Sequence, residues 1–170
     1  NTGHSLFRQA FSLIQQQDST GIEKCSEAES FYKNSIELTE NKNEKAESLY
    51  NLGNSQLLGQ KLEKSIESYK KSLRLVPKNM NAKHNLALAQ YLLNKKQDNQ
   101  KDSKKEQEEK KSEEEKDQNQ ENNQQNQPKE ELSKEEIEQI LNALEREEKE
   151  VQEDLQEKKL IGVDKLLKDW

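Results

Sequence analysis

The chain has 170 residues, of which 28% are hydrophobic and 36% charged, and its formal net charge is −6 at pH 7. Globular chains carry about 45–50% apolar residues, so this composition is too poor in them for a single core spanning the whole length. The negative charge argues against a nucleic-acid partner, and no apolar run reaches the length that predicts a membrane span.

The apolar residues are concentrated at the two ends of the chain. Residues 1–93 hold 34 of the 48 hydrophobic residues, residues 94–131 hold none, and residues 132–170 hold the remaining 14. We therefore expect a packed array, a low-complexity charged linker and a separate C-terminal segment with these bounds. Five glycines and two prolines are few for a chain with many β-turns, which favours an all-α fold.

The first region begins with a degenerate repeat at residues 4–42. We expect two helices joined by a loop at about residues 17–25. Their apolar faces would be formed by Phe7, Ala10, Phe11 and Ile14 in the first helix and by Ala28, Phe31, Tyr32 and Ser35 in the second.

A full repeat follows at residues 46–79. Its pattern predicts helices at about 46–58 and 62–75, with Gly53 allowing close approach of the second helix and Pro77 ending it. The 34-residue stretch from Ala46 to Asn79 resembles a tetratricopeptide (TPR) repeat over its full length. The resemblance implies antiparallel helix pairs stacked into a short solenoid of about five helices.

A half repeat at residues 80–93 completes the array. Residues 85–87 repeat the pattern of residues 51–53 after 34 positions, which predicts one more first helix of a pair. No apolar second helix follows, because the hydrophobic residues stop at Leu93.

The TPR resemblance also implies a concave groove that binds extended or helical peptides. Its first-helix positions correspond here to Glu47, Tyr50, Asn51, Asn54, Asn81, His84, Asn85, Leu88 and Tyr91, together with Leu57, Leu58 and Leu92. The amides at 51, 54 and 85 can donate to and accept from a peptide backbone, and the aromatic and leucine side chains would form an apolar floor. Two alternatives stay open: the amides are simply solvated, or Leu57 and Leu58 pack into the core.

The linker at residues 94–131 contains Lys, Glu, Gln, Asn, Asp and Ser, with Pro128. Disorder is the expectation for a stretch without apolar residues. Pairs such as Glu106 and Lys110 favour an alternative, a solvated single helix over about residues 94–118. In either form the segment would act as a spacer.

A helix start is encoded at Ser133 and Glu136, which have the spacing of a capping box. An amphipathic helix follows, and the C-terminal docking residues are Ile137, Ile140, Leu141, Leu144, Val151, Leu155 and, at the end of the chain, Trp170. An apolar stripe of this kind must be buried. It would fold back on the repeats, dock on another protein, or pair with a second copy as a coiled coil, while Trp170 is either an anchor or a frayed end.

The combination of these segments is similar to the TPR proteins of bacterial aerotolerance (Bat) operons. The residues that carry this resemblance are those of the segment 141–144, Glu148, and the closing Asp169 and Trp170. It implies a periplasmic or membrane-associated place in a cell-envelope complex, partners with von Willebrand A domains, and no enzymatic activity. A cytoplasmic location stays open.

No constellation for catalysis or metal binding is visible in the sequence. His4, His84 and the single Cys25 do not have metal-ligand spacing, and a glycine-rich phosphate loop is absent. We expect a non-enzymatic adaptor without cofactor, monomeric or weakly self-associating, which binds one protein or peptide in the groove and another through the C-terminal helix. The alternative is a self-associating structural protein with residues 132–155 as a coiled-coil seam.

Overall fold

The computed structural model describes the backbone of residues 2–114, 132–146 and 149, and the side chains of residues 2–100, 132–146 and 149. These residues form helices and no strand, so the predicted all-α fold class is confirmed for this part of the chain. The helices are α1 Thr2–Gln15, α2 Thr20–Leu38, α3 Lys42–Leu58, α4 Leu62–Leu75, α5 Met80–Glu114 and α6 at residues 134–146.

The helix ends follow local hydrogen bonds. The Asn41 side chain begins α3 by accepting from the backbone N–H groups of Asn43 and Glu44. The turn between α3 and α4 contains Gln60 at a φ of 60°, and Pro77 lies just after α4, where a helix cannot continue.

The prediction of a loop at about residues 17–25 is wrong. The connection between α1 and α2 is shorter, because Asp18 accepts hydrogen bonds from both the backbone N–H and the hydroxyl of Thr20, where α2 begins. Cys25 therefore lies inside a helix, and it is completely buried.

α5 extends well past Leu93, where the predicted half repeat stops. It spans Met80–Glu114 as one helix, so the first part of the predicted linker is helical.

The helices pack in chain order, each against its sequence neighbours from α1 to α5. The odd-numbered helices also contact one another, α1 with α3 and α3 with α5, while an open cleft separates α2 from α4. The odd-numbered helices therefore form the inner side of a curved array.

The tightest contact in the array joins α3 to α4 at Gly53. A Cβ at this position would lie 2.6 Å from Cε1 of Tyr69, whose side chain is fully buried. The next turn of α4 carries Ser72, which donates a 2.7 Å hydrogen bond to the carbonyl of Ala46. A small residue on each helix thus lets the two backbones approach closely.

An ion pair links α2 to the turn after α3. The carboxylate of Glu29 is buried and accepts from the ammonium of Lys61, which also donates to the Ser26 hydroxyl at 3.1 Å. A second ammonium, that of Lys33, lies 3.6 Å from the same carboxylate. Such pairing is what allows a charged group to be buried.

Candidate functional site

The predicted groove residues occupy α3 and α5, on the inner side of the array. They differ widely in exposure. Glu47, His84 and Tyr91 are exposed, Tyr50, Asn51, Asn81 and Leu88 are half-buried, and Asn54 and Asn85 are buried. We use the term inner face for those that remain accessible or half-buried: Glu47, Tyr50, Asn51, Asn81, His84, Leu88 and Tyr91.

Asn54 and Asn85 form an internal polar joint. The Asn85 side-chain amide donates to Oδ1 of Asn54 at 3.1 Å, and the Tyr69 hydroxyl donates to the same oxygen at 2.8 Å. This joint links α3, α4 and α5. The oxygen of the Asn85 side chain is buried and has no hydrogen-bond partner among the described residues.

Leu57 and Leu58 belong to the hydrophobic core, since their side chains are 0% and 2% exposed. Of the two roles that the sequence left open for them, the structure shows packing in the core. Leu92 is likewise fully buried. The inner face is therefore smaller than the TPR positions alone imply.

The C-terminal helix α6 packs against α5 in antiparallel orientation. The residues before and at its start, Leu132 and Ser133, border the same cavity as Lys95 and Asn99 of α5. Near its other end, four residues of α6 line a cavity together with three earlier residues of α5. They are Gln139, Asn142, Ala143 and Arg146 of α6 and His84, Leu88 and Tyr91 of α5. Three residues of the inner face are thus next to α6.

One side of α6 and the residue that precedes it are buried. Leu132, Ile140 and Leu144 are at most 7% exposed and join the core cluster that contains Leu57, Leu58 and Leu92. Ile137 and Leu141 are half-buried and pack against that cluster. Of the three destinations considered for this stripe, the structure shows the fold back onto the repeats. The predicted docking residues Val151, Leu155 and Trp170 lie outside the described residues.

Polar contacts fix the start of α6. Glu136 accepts from the backbone N–H of Ser133 at 2.9 Å, and the Ser133 hydroxyl accepts from the backbone N–H of Glu136 at 3.3 Å, which is a capping box. The other oxygen of Glu136 lies 3.2 Å from the ammonium of Lys95 on α5. The backbone N–H of Leu132 donates to the Gln60 side chain at 3.0 Å.

These contacts shift the pKa values of Glu136 and Lys95. Burial raises the pKa of Glu136, but its bonds to Ser133 and to the ammonium of Lys95 outweigh burial, so the pKa lies below its ordinary value of 4.5. The hydrogen bond and the negative charge of Glu136 raise the pKa of Lys95.

We expect the docking of α6 to weaken in acid. Because the pKa of Glu136 in the docked helix lies below its ordinary value, its carboxylate stabilises the folded and docked segment relative to the unfolded segment above about pH 4.5, and this contribution disappears as the pH falls through the lowered pKa. NMR signals of the Ile140 and Leu144 methyl groups, followed from pH 6 to pH 3, should move towards those of the isolated peptide 132–149. The variant Glu136→Gln keeps the capping geometry but has no charge to lose, so an unchanged acid transition in it would contradict this assignment.

The side of α5 that α6 covers is not the side that a second TPR helix would cover. In α3, the residues facing α4 are Leu49, Gly53 and Gln56, and all three are buried. Their counterparts in α5, 34 positions later, are Lys83, Ala87 and Gln90, and all three are exposed. α6 instead lies beside the inner face. The polar residues at positions 83 and 90 were the sequence signal that the described helices leave this side of α5 exposed.

Cys25 shows no sign of a reactive thiol. Burial is the main cause that raises its pKa to about 12, and the charge of Glu29 adds to the shift. A thiol is nucleophilic only as the thiolate. Among the described residues, no group of His, Cys, Asp and Glu side chains is arranged to hold a metal ion.

Within the same residues, none of the helices combines the length and the apolar character that crossing a bilayer requires. Comparisons with protein-family models, with curated proteins and with solved structures found no match.

Proposed function

We propose that this chain is a non-catalytic protein–protein interaction adaptor built on a short TPR array. Its inner face binds a helical segment of a partner protein, and its C-terminal segment is the second interaction element. One observation carries the proposal: an amphipathic helix, α6, is seated beside Leu88 and Tyr91, with Ile140 and Leu144 buried. Helix-in-groove recognition uses this type of contact.

The TPR assignment is supported by packing. Each helix contacts its sequence neighbours, the odd-numbered helices touch along the inner side, and Gly53 meets an aromatic ring on the following helix. In helical solenoids, each repeat packs only against the adjacent repeats.

The cell-envelope part of the proposal is supported by the resemblance to Bat-operon TPR proteins alone. It places the chain in a periplasmic or membrane-associated complex with von Willebrand A-domain proteins. Of the residues that carry the resemblance, Leu141 is half-buried against the core and Asn142 is exposed. Glu148, Asp169 and Trp170 lie outside the described residues.

Site-specific photo-crosslinking tests the adaptor function. A photoreactive phenylalanine replaces Asn51 or Tyr91 on the inner face, or Glu67 on the outer side of α4 as a matched control, in the full chain expressed in its native cells. All three positions are at least partly accessible. We expect adducts with a distinct protein from positions 51 and 91 and none from position 67.

The same experiment separates the two candidate functions. Adducts between two copies of the chain would instead favour the self-associating structural protein. In this structure Ile140 and Leu144 of that seam are covered within one chain, so a coiled coil would require α6 to leave α5. Equal adducts from all three positions would contradict a specific inner-face site.

A further inference from the structure

We infer that the surface beneath α6 is a receptor for an amphipathic helix with a defined pattern, and that α6 is its built-in occupant, displaced by a helix of another protein with the same pattern. The inference rests on the proposed function and specifies its ligand. We call this surface the α6 site. It is formed by Gln60 in the turn after α3 and by Leu88, Leu92 and Lys95 of α5.

The pattern follows from spacing and burial. Leu132, Glu136, Ile140 and Leu144 are four residues apart, and all four are buried. Residues four apart form one ridge along a helix, which packs between ridges of a neighbouring helix. The ligand is therefore a helix in which a carboxylate near the start is followed, at four-residue steps, by two aliphatic residues, while a third aliphatic residue lies just before the helix, four positions ahead of the carboxylate.

The α6 site recognises the carboxylate at the position of Glu136 by its charge. The ammonium of Lys95 lies 3.2 Å from the carboxylate of Glu136, whose side chain is only 8% exposed. A hydrogen bond between ionised groups is stronger than one between neutral groups. A helix with a neutral or basic residue at this place would leave the ammonium without its partner, so the α6 site favours acidic helix starts.

The α6 site recognises the backbone just before the ligand helix through a hydrogen bond. Gln60 accepts from the backbone N–H of Leu132, which lies two residues before the first residue of α6. This contact fixes where the helix starts without selecting a side chain. The α6 site thus sets the register of its ligand at one end and tests its charge one turn later.

α6 is held weakly enough for a partner helix to replace it. The stretch of α6 that the structure describes without a gap, residues 134–146, spans 13 residues, and isolated helices of about that length are marginal in water. Its outer side, including Glu138, Asn142 and Glu145, is exposed, so the array covers only one side. As part of the same chain, α6 competes with a partner helix intramolecularly, which raises its effective concentration. A partner helix must bind well enough to overcome this advantage.

The test uses the full chain and a fluorescent peptide of residues 132–149, with binding read as fluorescence anisotropy. The double variant Ile140→Asp with Leu144→Asp frees the site, and we expect it to bind the peptide at least tenfold more tightly than the unaltered chain. The matched control Glu138→Ala with Glu145→Ala alters exposed residues of α6 and should behave like the unaltered chain. Adding Leu88→Asp to the freed variant should abolish binding.

A double-mutant cycle in the freed variant tests whether Lys95 recognises the carboxylate of Glu136. Lys95→Gln in the chain and Glu136→Gln in the peptide should each weaken binding about threefold to tenfold, and together no more than either alone. Additive losses would overturn the reading by Lys95. If circular dichroism shows that the aspartate variant loses helices α1 to α5, the single variant Ile140→Ala replaces it, with an intermediate gain in peptide affinity expected.

The outcomes also separate this inference from the proposed function. A folded, freed variant that does not bind the peptide overturns the inference, while adducts from Asn51 and Tyr91 would still support an adaptor. Peptide binding without adducts to another protein would overturn the adaptor and the partner helix, and would leave only an intramolecular binding site for α6. Sedimentation of the unaltered chain as a stable dimer at micromolar concentration would assign the site to a second copy, and it would overturn a partner of different sequence.

Discussion

Replacing Gly53 by valine is expected to lower the free energy of unfolding by about 3 kcal/mol, near the upper end of the usual cost of overpacking. The new Cβ would lie 2.6 Å from Cε1 and 2.7 Å from Cδ1 of Tyr69. The ring cannot move aside easily, because it is fully buried and its hydroxyl donates to Asn54. Urea unfolding followed by circular dichroism measures the loss.

Ala87 provides the matched control for this substitution. It occupies the same repeat position as Gly53, 34 residues later, but it is exposed, since none of the helices in the described part of the chain packs on that side of α5. Ala87→Val should change stability by no more than about 0.5–1 kcal/mol, the difference in helix propensity. Valine has a higher helix propensity than glycine, so a loss at Gly53 no larger than the loss at Ala87 would contradict the contact with Tyr69 as its cause.

The second large effect is expected from Leu88→Asp, which should release α6 although it alters α5. Leu88 is half-buried and lines a cavity with residues 139–146. A carboxylate there would have to lose hydration when α6 docks. We expect the amide protection of α6 to fall about 100-fold, measured by hydrogen exchange, which corresponds to about 2.7 kcal/mol. The exposed neighbour Ala87→Asp introduces the same charge and should leave the protection of α6 unchanged.

Much of the array was predictable because its signals are local. The predicted second helix of the full repeat, at about residues 62–75, coincides with α4 at Leu62–Leu75. Pro77 and the apolar spacing determine those bounds. The start of α2 was missed because the side chain that sets it, Asp18, makes a short-range turn contact with Thr20 that no apolar periodicity reveals.

The inner face was harder to predict, because burial there depends on three helices together. Asn54 and Asn85 have the positions of groove residues within their own helices, yet their side chains meet each other and Tyr69 between α3, α4 and α5. Leu57 and Tyr91 occupy the same position in successive repeats, yet Leu57 is buried and Tyr91 is 55% exposed. A pattern within one repeat does not contain this difference.

The destination of α6 was the least predictable feature. Its apolar stripe and the capping box of Ser133 and Glu136 are visible in the sequence and predict a helix. An apolar stripe fits many apolar surfaces, however, and the contacts that select this one join residues far apart in the chain. Lys95 pairs with Glu136, and Gln60 meets Leu132.

Hydrogen exchange of the backbone amides of residues 137–144 tests the central claim, that α6 occupies the inner side of the array. In the full chain at neutral pH we expect these amides to be protected well beyond those of the isolated peptide 132–149, and Leu88→Asp should remove this protection while α3 and α4 keep theirs. Amides that exchange in the full chain as fast as in the isolated peptide would contradict the docked helix, and with it the helix-binding site derived from it.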